Sequence, residues 1–424
     1  MHEAPRHDSR LAQDVAEFCK KHVTQAQQSR ASFPSSPLWA GVAKTGTALW
    51  LDTGDVDAAR ALWVREFTAL TTNNTLLNKE VQKGIYDQLV PGTAALLRAS
   101  DAKMSSDQLV QEIAFVLNAV HGLKLVRTFD ADVSVELHTA ISNDAEASYR
   151  YGKRFAAISP DRFIVKVPLT PAGLLAARRL HDDGIRLNFT LGFSARQNWL
   201  IASLAQPTFC NVFMGRINAF IADNKLGDGA NAGEKATLAS QRGLRRLEQK
   251  TKREVRQIGA SMRSGQQCAD LLGLDVFTMP TAAAKEFVAM NPALAALKDK
   301  TANDPAVTFA AGIDASKERL DVCWTITPAF EAAAAAAARL DATKATADDV
   351  KKTLAANGAG DLFPQFTADE AARVAKEGKI PVFKSWSERV RAGTASWDGM
   401  LTAAALASFT QDQQALDDRI RKQL

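Results

Sequence analysis

With 424 residues, of which 46% are hydrophobic and 23% charged, the chain is ordinary globular material, long enough for one large α/β domain or two smaller ones. A formal charge of +5 is mild for this length; it suits anionic small substrates as well as nucleic acid and excludes neither. Four cysteines, Cys19, Cys210, Cys268 and Cys323, are too widely spaced for a C-x-x-C clip and too few for a disulfide framework, which argues for a reducing compartment.

The opening residues, Met1-His2-Glu3-Ala4-Pro5-Arg6, carry no apolar signal region, and no run of about 18 apolar residues stands out, so a soluble cytoplasmic protein is expected. Over residues 9–28, Leu11, Val15, Phe18 and Val23 recur at roughly helical spacing and predict an amphipathic helix, ended by the Ser/Pro linker 32–37. A first strand follows at 48–55, closing on acids, and a second at 69–72 runs into Asn73-Asn74. The stretch 75–130 reads as helical, with Pro91-Gly92 as a break and a helix over about 105–120. Residues 133–137 form the third predicted strand, again ending in an acid, Glu136.

The fourth strand is the most informative. In Arg162-Phe163-Ile164-Val165-Lys166-Val167-Pro168 a lysine is enclosed by Phe, Ile and Val, as in a strand buried on both faces. Burying an ammonium costs several kcal/mol unless it is paired or deprotonated, so such a lysine is expected to have a lowered pKa and to be a nucleophilic amine. The bland alternative is an edge-strand lysine with its head in water.

Thr170 and Pro171 then start a helix in the preferred manner, as N-cap and first helical residue, and Gly184 ends it. The fifth strand is expected at 186–191, with Ser194 capping the next helix, and the sixth at 209–215. A glycine-bearing loop, 226–233, precedes a basic helical segment, 242–253. The seventh strand lies within 255–261 and the eighth is 275–280. Beyond about residue 281 the sequence is Ala-rich and helical, with a long last helix from Trp397.

Eight strands, nearly all followed by helix, is the pattern of an α/β fold of the (β/α)8 TIM barrel type. The predicted organisation is an N-terminal helix and linker over 1–40, the barrel over 41–290, and a helical C-terminal extension over 291–424 packing on the barrel. Such a barrel gathers the C-terminal ends of its strands at one mouth, where Asp52, Asn73, Glu136, Lys166, Asn188, Thr190, Asn211 and Ser261 would converge.

At these residues the chain resembles the transaldolase family, over residues 49 to about 287. The motifs, in order, are Asp52-Thr53-Gly54-Asp55, Thr71-Thr72-Asn73, Ser134-Val135-Glu136, Ile164-Val165-Lys166-Val167-Pro168, Asn188-Phe189-Thr190-Leu191-Gly192-Phe193-Ser194, Phe213-Met214-Gly215-Arg216 and Ala260-Ser261-Met262-Arg263. Two departures stand out: Asn74 where the family usually has Pro, and Asn211-Val212 where it has Ser-Pro.

The resemblance implies transfer of a dihydroxyacetone unit between phosphorylated sugars through a lysine Schiff base. Lys166 would form the imine, Asp52 would carry the proton of the cleaved hydroxyl, and Glu136 with Thr190 would act through a water. Asn73, Asn188 and Asn211 would hold sugar hydroxyls, and Arg216 and Arg263, beside Ser261, would hold phosphate. Phe213 would pack in the mouth, where an aromatic without a hydroxyl goes with transfer rather than simple aldol cleavage. The structural alternatives are a helix-capping role for Asp55 and a plain ion pair between Glu136 and Lys166.

No metal or cofactor is expected. The six histidines show no ligand spacing, and Gly227, Gly229 and Gly233 have the wrong spacing for a dinucleotide loop. The basic stretch 242–256 could touch RNA, but its interleaved Glu248 and Glu254 read better as a solvated helix face, so neither nucleic acid nor membrane is an expected partner. The expected state is a monomer or homodimer. A Schiff-base aldolase releasing free dihydroxyacetone, and a non-catalytic barrel scaffold, remain as alternatives.

Overall fold

The computed structural model describes residues 4–424. Eight parallel strands, β1 (Ala48–Asp52), β2 (Phe67–Thr71), β3 (Asp132–Glu136), β4 (Phe163–Pro168), β5 (Leu187–Thr190), β6 (Phe209–Phe213), β7 (Arg256–Ala260) and β8 (Val276–Pro280), close into a barrel in sequence order, with β8 pairing back to β1. The fold is therefore a (β/α)8 TIM barrel with additional N- and C-terminal helices.

The period of two along each strand divides the core into an outer and an inner part. Leu49, Leu51, Val133, Val135, Phe163, Val165, Val167 and Phe189 belong to the outer cluster, packed under the helices. Trp50, Ala69, Ile164, Phe209, Ile258 and Val276 belong to the inner one, where the Trp50 and Phe209 rings meet edge to face at 4.7 Å. Continuing the inner series toward the strand C-termini gives Asp52, Thr71, Glu136, Lys166, Asn188 and Asn211. Strand register then sets neighbours: Glu136 pairs with Lys166, Lys166 with Asn188, and Asp52 with Thr71.

Caps fix the helix starts. Thr170 Oγ1 accepts from Gly173 N at 2.8 Å and Ser194 Oγ from Gln197 N at 3.0 Å, as their positions in the sequence suggest. Several predicted ends moved. The first helix is Arg10–Lys21, shorter than predicted, because His22 caps it and Gln28 N–H instead donates to the Arg127 carbonyl. A short helix, Pro37–Ala43, occupies the end of the predicted linker, with Ser36 as its cap.

The helix predicted over 105–120 runs on as Ser106–Phe129; a Cβ on its Gly122 would lie 2.9 Å from both Phe163 and Val135, so this glycine permits close helix–sheet contact. That helix is long and apolar enough to cross a membrane by length and composition, against the expectation of no such run, but most of it is buried inside the protein. Strand β6 stops at Phe213 because a helix, Met214–Asp223, begins at once. The basic helix is Ala232–Thr251 and starts within the expected glycine-bearing loop.

The C-terminal extension is helical: Pro328–Ala337, Ala347–Ala356, Ala368–Glu377, Phe383–Arg391 and Trp397–Arg421. The basic residues of helix Ala232–Thr251 lie on an exposed face, as the interleaved charges suggest, and several pair with neighbouring parts of the chain. Arg246 and Lys250 pair with Glu331 at 2.7 and 2.9 Å, Arg242 donates to the Asn303 carbonyl at 2.6 Å, and Arg245 pairs with Asp275. The last helix is anchored by a buried network. Arg196 bonds Asp398 through two nitrogens at 2.8 and 2.9 Å and reaches Asp361 at 3.3 Å, while Ser194 Oγ donates to Asp398 at 2.7 Å. Burial pushes the Asp398 carboxyl up, but Arg196 outweighs it and holds the group below the usual carboxylate range.

Removing one partner of a buried pair strands the other. Asp398→Ala is expected to cost about 3 kcal/mol in denaturant unfolding, whereas loss of an exposed pair such as Arg421 with Asp107 should cost less than about 1 kcal/mol.

Candidate active site

A cavity of about 170 Å³ opens at the C-terminal ends of the strands, lined by Asp52, Asn73, Lys166, Asn188, Asn211, Phe213, Arg216, Ser261 and Arg263 among others. Of the sequence-predicted site residues, nine thus share one wall. Glu136 and Thr190 are buried beside it instead, and Glu136 lines a separate space of about 10 Å³ with Asn74 and Asn118.

Lys166 is 3% exposed, so the edge-strand reading does not hold. Its Nζ donates to the Thr72 carbonyl at 3.0 Å and stands 3.7 Å from Glu136 Oε2. The contact with Glu136 is a loose ion pair, so the alternative role considered for Glu136 is present geometrically. Asp52 is half-buried at the cavity wall and accepts from Thr71 Oγ1 at 2.7 Å; Thr71 also bonds Thr278 at 2.7 Å.

Burial pushes the carboxyls of both Asp52 and Glu136 above the usual range, and Lys166 offsets this only in part. Glu136 also accepts from Asn74 N–H at 3.3 Å, a bond that a proline at that position could not make. Asp55 caps its helix, accepting from Asp57 N and Ala58 N at 3.0 and 2.9 Å, as the structural alternative for it held.

The amides form a chain across the mouth. Asn188 donates to Ser134 Oγ at 3.0 Å and accepts from Asn211 at 3.5 Å, which leaves the buried Asn211 Oδ1 without a partner. Thr190 Oγ1 is likewise buried and unpartnered. Asn73 uses one lone pair of its side-chain oxygen on a helix cap, accepting from Leu76 N at 2.8 Å, and keeps its NH₂ group for a ligand.

Arg216 and Arg263 are brought together by an unusually close approach. A Cβ at Gly215 would sit 2.2 Å from the Ser261 carbonyl oxygen and 2.8 Å from Arg263 Nε, and Ser261 itself adopts a left-handed φ of 62°. Burial, followed by the like charge of Arg263, lowers Arg216 to about 10. Its guanidinium lies 5.8 Å from the Phe213 ring centre and 5.5 Å from that of Phe409, and Phe213 meets Phe193 edge-on at 5.8 Å. Two guanidinium groups held together with no carboxylate partner among the described residues form an anion-binding corner.

Three features were not singled out from the sequence. Thr278 bonds Thr71 behind Asp52, the Thr72 carbonyl receives Lys166, and Lys379 and Phe409 of the C-terminal extension line the cavity. Thr278 falls on the inner series and could have been found by extending it from Val276, whereas the Thr72 contribution is a main-chain carbonyl that no side-chain pattern marks. Nothing local marks Lys379 or Phe409. Among the described residues no group of three or more His, Cys, Asp or Glu could hold a metal ion.

A raised carboxyl binds its proton more tightly in the folded chain than in the unfolded one. Its stabilising contribution is therefore full at low pH and lost as pH rises through the folded value. Asp52→Asn, which keeps an acceptor for Thr71, should raise the melting temperature by about 2 °C at neutral pH. The gain should shrink as pH falls through the raised Asp52 value and vanish below the ordinary carboxylate range. No gain at neutral pH would contradict this electrostatic account.

Comparison with known proteins places the chain in a family. Residues 49–356 match the family described as Transaldolase/Fructose-6-phosphate aldolase. A transaldolase of Gloeobacter violaceus is 30% identical over 240 residues, 55% of this chain and 60% of that protein, so the chain spans about three fifths of that relative's length. One from Xanthomonas campestris is 29% identical over 235 residues, covering 54% of this chain and 71% of the relative. A probable transaldolase of Thermus thermophilus is 32% identical over 244 residues, covering 57% and 90%. The chain belongs to the transaldolase/fructose-6-phosphate aldolase family.

Proposed function

We propose that this protein is a transaldolase. It moves a dihydroxyacetone unit from a ketose phosphate, sedoheptulose 7-phosphate or fructose 6-phosphate, to an aldose phosphate, glyceraldehyde 3-phosphate or erythrose 4-phosphate, as in the pentose phosphate pathway. The observation that carries this reading is a buried lysine, Lys166, on the same inward-facing series as two carboxyls of raised pKa, in a cavity shared with two guanidinium groups that pair with no carboxylate among the described residues.

In this reading the phosphate docks on Arg216, Arg263 and Ser261, and the sugar hydroxyls on Asn73, Asn188 and Asn211. Lys166 Nζ adds to the ketose carbonyl, and the carbinolamine oxygen leaves as water with a proton supplied from Glu136. A water held between Glu136 and Thr190 would relay it, since neither group lines the main cavity. The resulting iminium draws electrons from the adjacent carbon–carbon bond while Asp52 takes the proton of the hydroxyl on the far carbon. The bond breaks, an aldose leaves, and the enamine remains on Lys166. An acceptor aldehyde reverses these steps, with Asp52 returning its proton, and hydrolysis of the imine frees Lys166.

A fructose 6-phosphate aldolase that releases free dihydroxyacetone uses the same imine. The hydroxyl-free Phe213 beside the anion corner favours transfer over that second reading.

A coupled assay separates the two. Fructose 6-phosphate should turn over with erythrose 4-phosphate present and release little dihydroxyacetone without it. Asp52→Asn should lower kcat by about 10²–10⁴-fold. Equal dihydroxyacetone release with and without acceptor would move the assignment to the aldolase, and no turnover of either kind would overturn both.

A further inference from the structure

The match to the family ends at residue 356, yet two residues beyond it, Lys379 and Phe409, line the same cavity as Lys166. Lys379 sits on an arch, residues 377–383, between helices Ala368–Glu377 and Phe383–Arg391. The arch is fastened at both feet. On one side Glu377 Oε2 accepts from Val382 N at 2.9 Å and from Trp386 Nε1 at 2.7 Å. On the other, Asn224 donates to the Pro381 carbonyl at 3.0 Å and accepts from Phe383 N at 2.7 Å. Gly378, at φ +80°, supplies the turn between them. Asn224 also caps the helix Met214–Asp223, whose third residue is Arg216. One helix thus carries Arg216 at its start and secures the arch of Lys379 at its end.

Charge at the cavity is one-sided. Lys166, Arg216, Arg263 and Lys379 line it against a single carboxylate, Asp52. Among the described residues no carboxylate lies within ion-pair distance of Arg216, Arg263 or Lys379. By contrast, Arg245, Arg246 and Lys250 on the basic helix are all paired. Three unpaired cations brought to one mouth from two different parts of the chain repel one another, and only an anion relieves that repulsion.

We propose that Lys379 is a substrate-binding residue, the third cation, with Arg216 and Arg263, for the phosphate group of the sugar, supplied by the C-terminal extension. The two guanidinium groups fork onto phosphate oxygens from the barrel side, and the ammonium, a compact charge on a flexible stem at the exposed rim, closes over the outer one. This inference rests on the sugar-phosphate reading above. In that reading the donor and acceptor phosphates occupy the same place in turn, so Lys379 serves both.

Isothermal titration of the full chain with inorganic phosphate, at low ionic strength, tests the site without reference to turnover. Lys379→Gln is expected to weaken phosphate binding about fivefold, a loss that shrinks with added salt, and Lys379→Arg to stay within about twofold of the unaltered protein. In the coupled assay Lys379→Gln should raise KM for fructose 6-phosphate and for erythrose 4-phosphate by similar factors, with a smaller change in kcat. Unchanged phosphate affinity in Lys379→Gln, or no phosphate binding by the unaltered protein, overturns the proposal. Phosphate binding that depends on Lys379, in a protein that turns over no sugar phosphate, would uphold the anion site and sink the transaldolase reading.

Discussion

The site depends on placing an amine inside a barrel. Taking an ammonium out of water costs several kcal/mol, so the fold must supply polar partners around Lys166 without filling the space that a ligand needs. It does so with the Thr72 carbonyl at 3.0 Å and with a carboxyl held off at 3.7 Å. A tight, bidentate ion pair would have locked the amine in place, as happens elsewhere in this chain between Arg154 and Glu112 at 2.6 and 2.8 Å. The looser arrangement leaves Nζ at the floor of an open cavity. Both neighbouring carboxyls bear the cost of the same burial in their raised pKa values.

Around that floor, each layer of the structure contributes a different part. Strand periodicity selects which residues point inward, and parallel register places Glu136, Lys166 and Asn188 side by side. The close approach that only Gly215 allows seats Arg263 next to Arg216. The last helix crosses the mouth and brings Phe409 to the guanidinium of Arg216, held by Arg196 with Asp398 near its start and by Thr75 with Asp412 further along. The extension is therefore built into the wall of the site, and its buried ion network carries a positional role as well as a structural one.

Most of the barrel was legible because β-structure here is encoded locally. The apolar runs, their terminal acids and amides, and caps such as Thr170 and Ser194 fall where the strands and helices begin and end. Some ends were not legible. The helix expected to stop near residue 120 runs to Phe129, with Gly122 letting Phe163 and Val135 approach it, and Gly233, read as part of a loop, lies inside a helix pressed against Met214. The cavity lining was legible for several residues at strand ends, including Asp52, Lys166, Asn188 and Asn211. Periodicity could not show that Glu136 and Thr190 would lie beside the cavity rather than along it, nor that Asn73 would use its oxygen in a cap. Lys379 and Phe409 reach the mouth only through tertiary packing of the extension, and no local pattern records that.

The most direct test of the central claim is chemical trapping. The protein is incubated with fructose 6-phosphate, reduced with borohydride and digested, and the modified peptide is identified by mass, with Lys166→Ala as control. The account predicts a stable dihydroxyacetone-sized adduct on Lys166 and none in the variant. An adduct on a different lysine, or none on any lysine of the folded protein with several ketose phosphates tried, would contradict it.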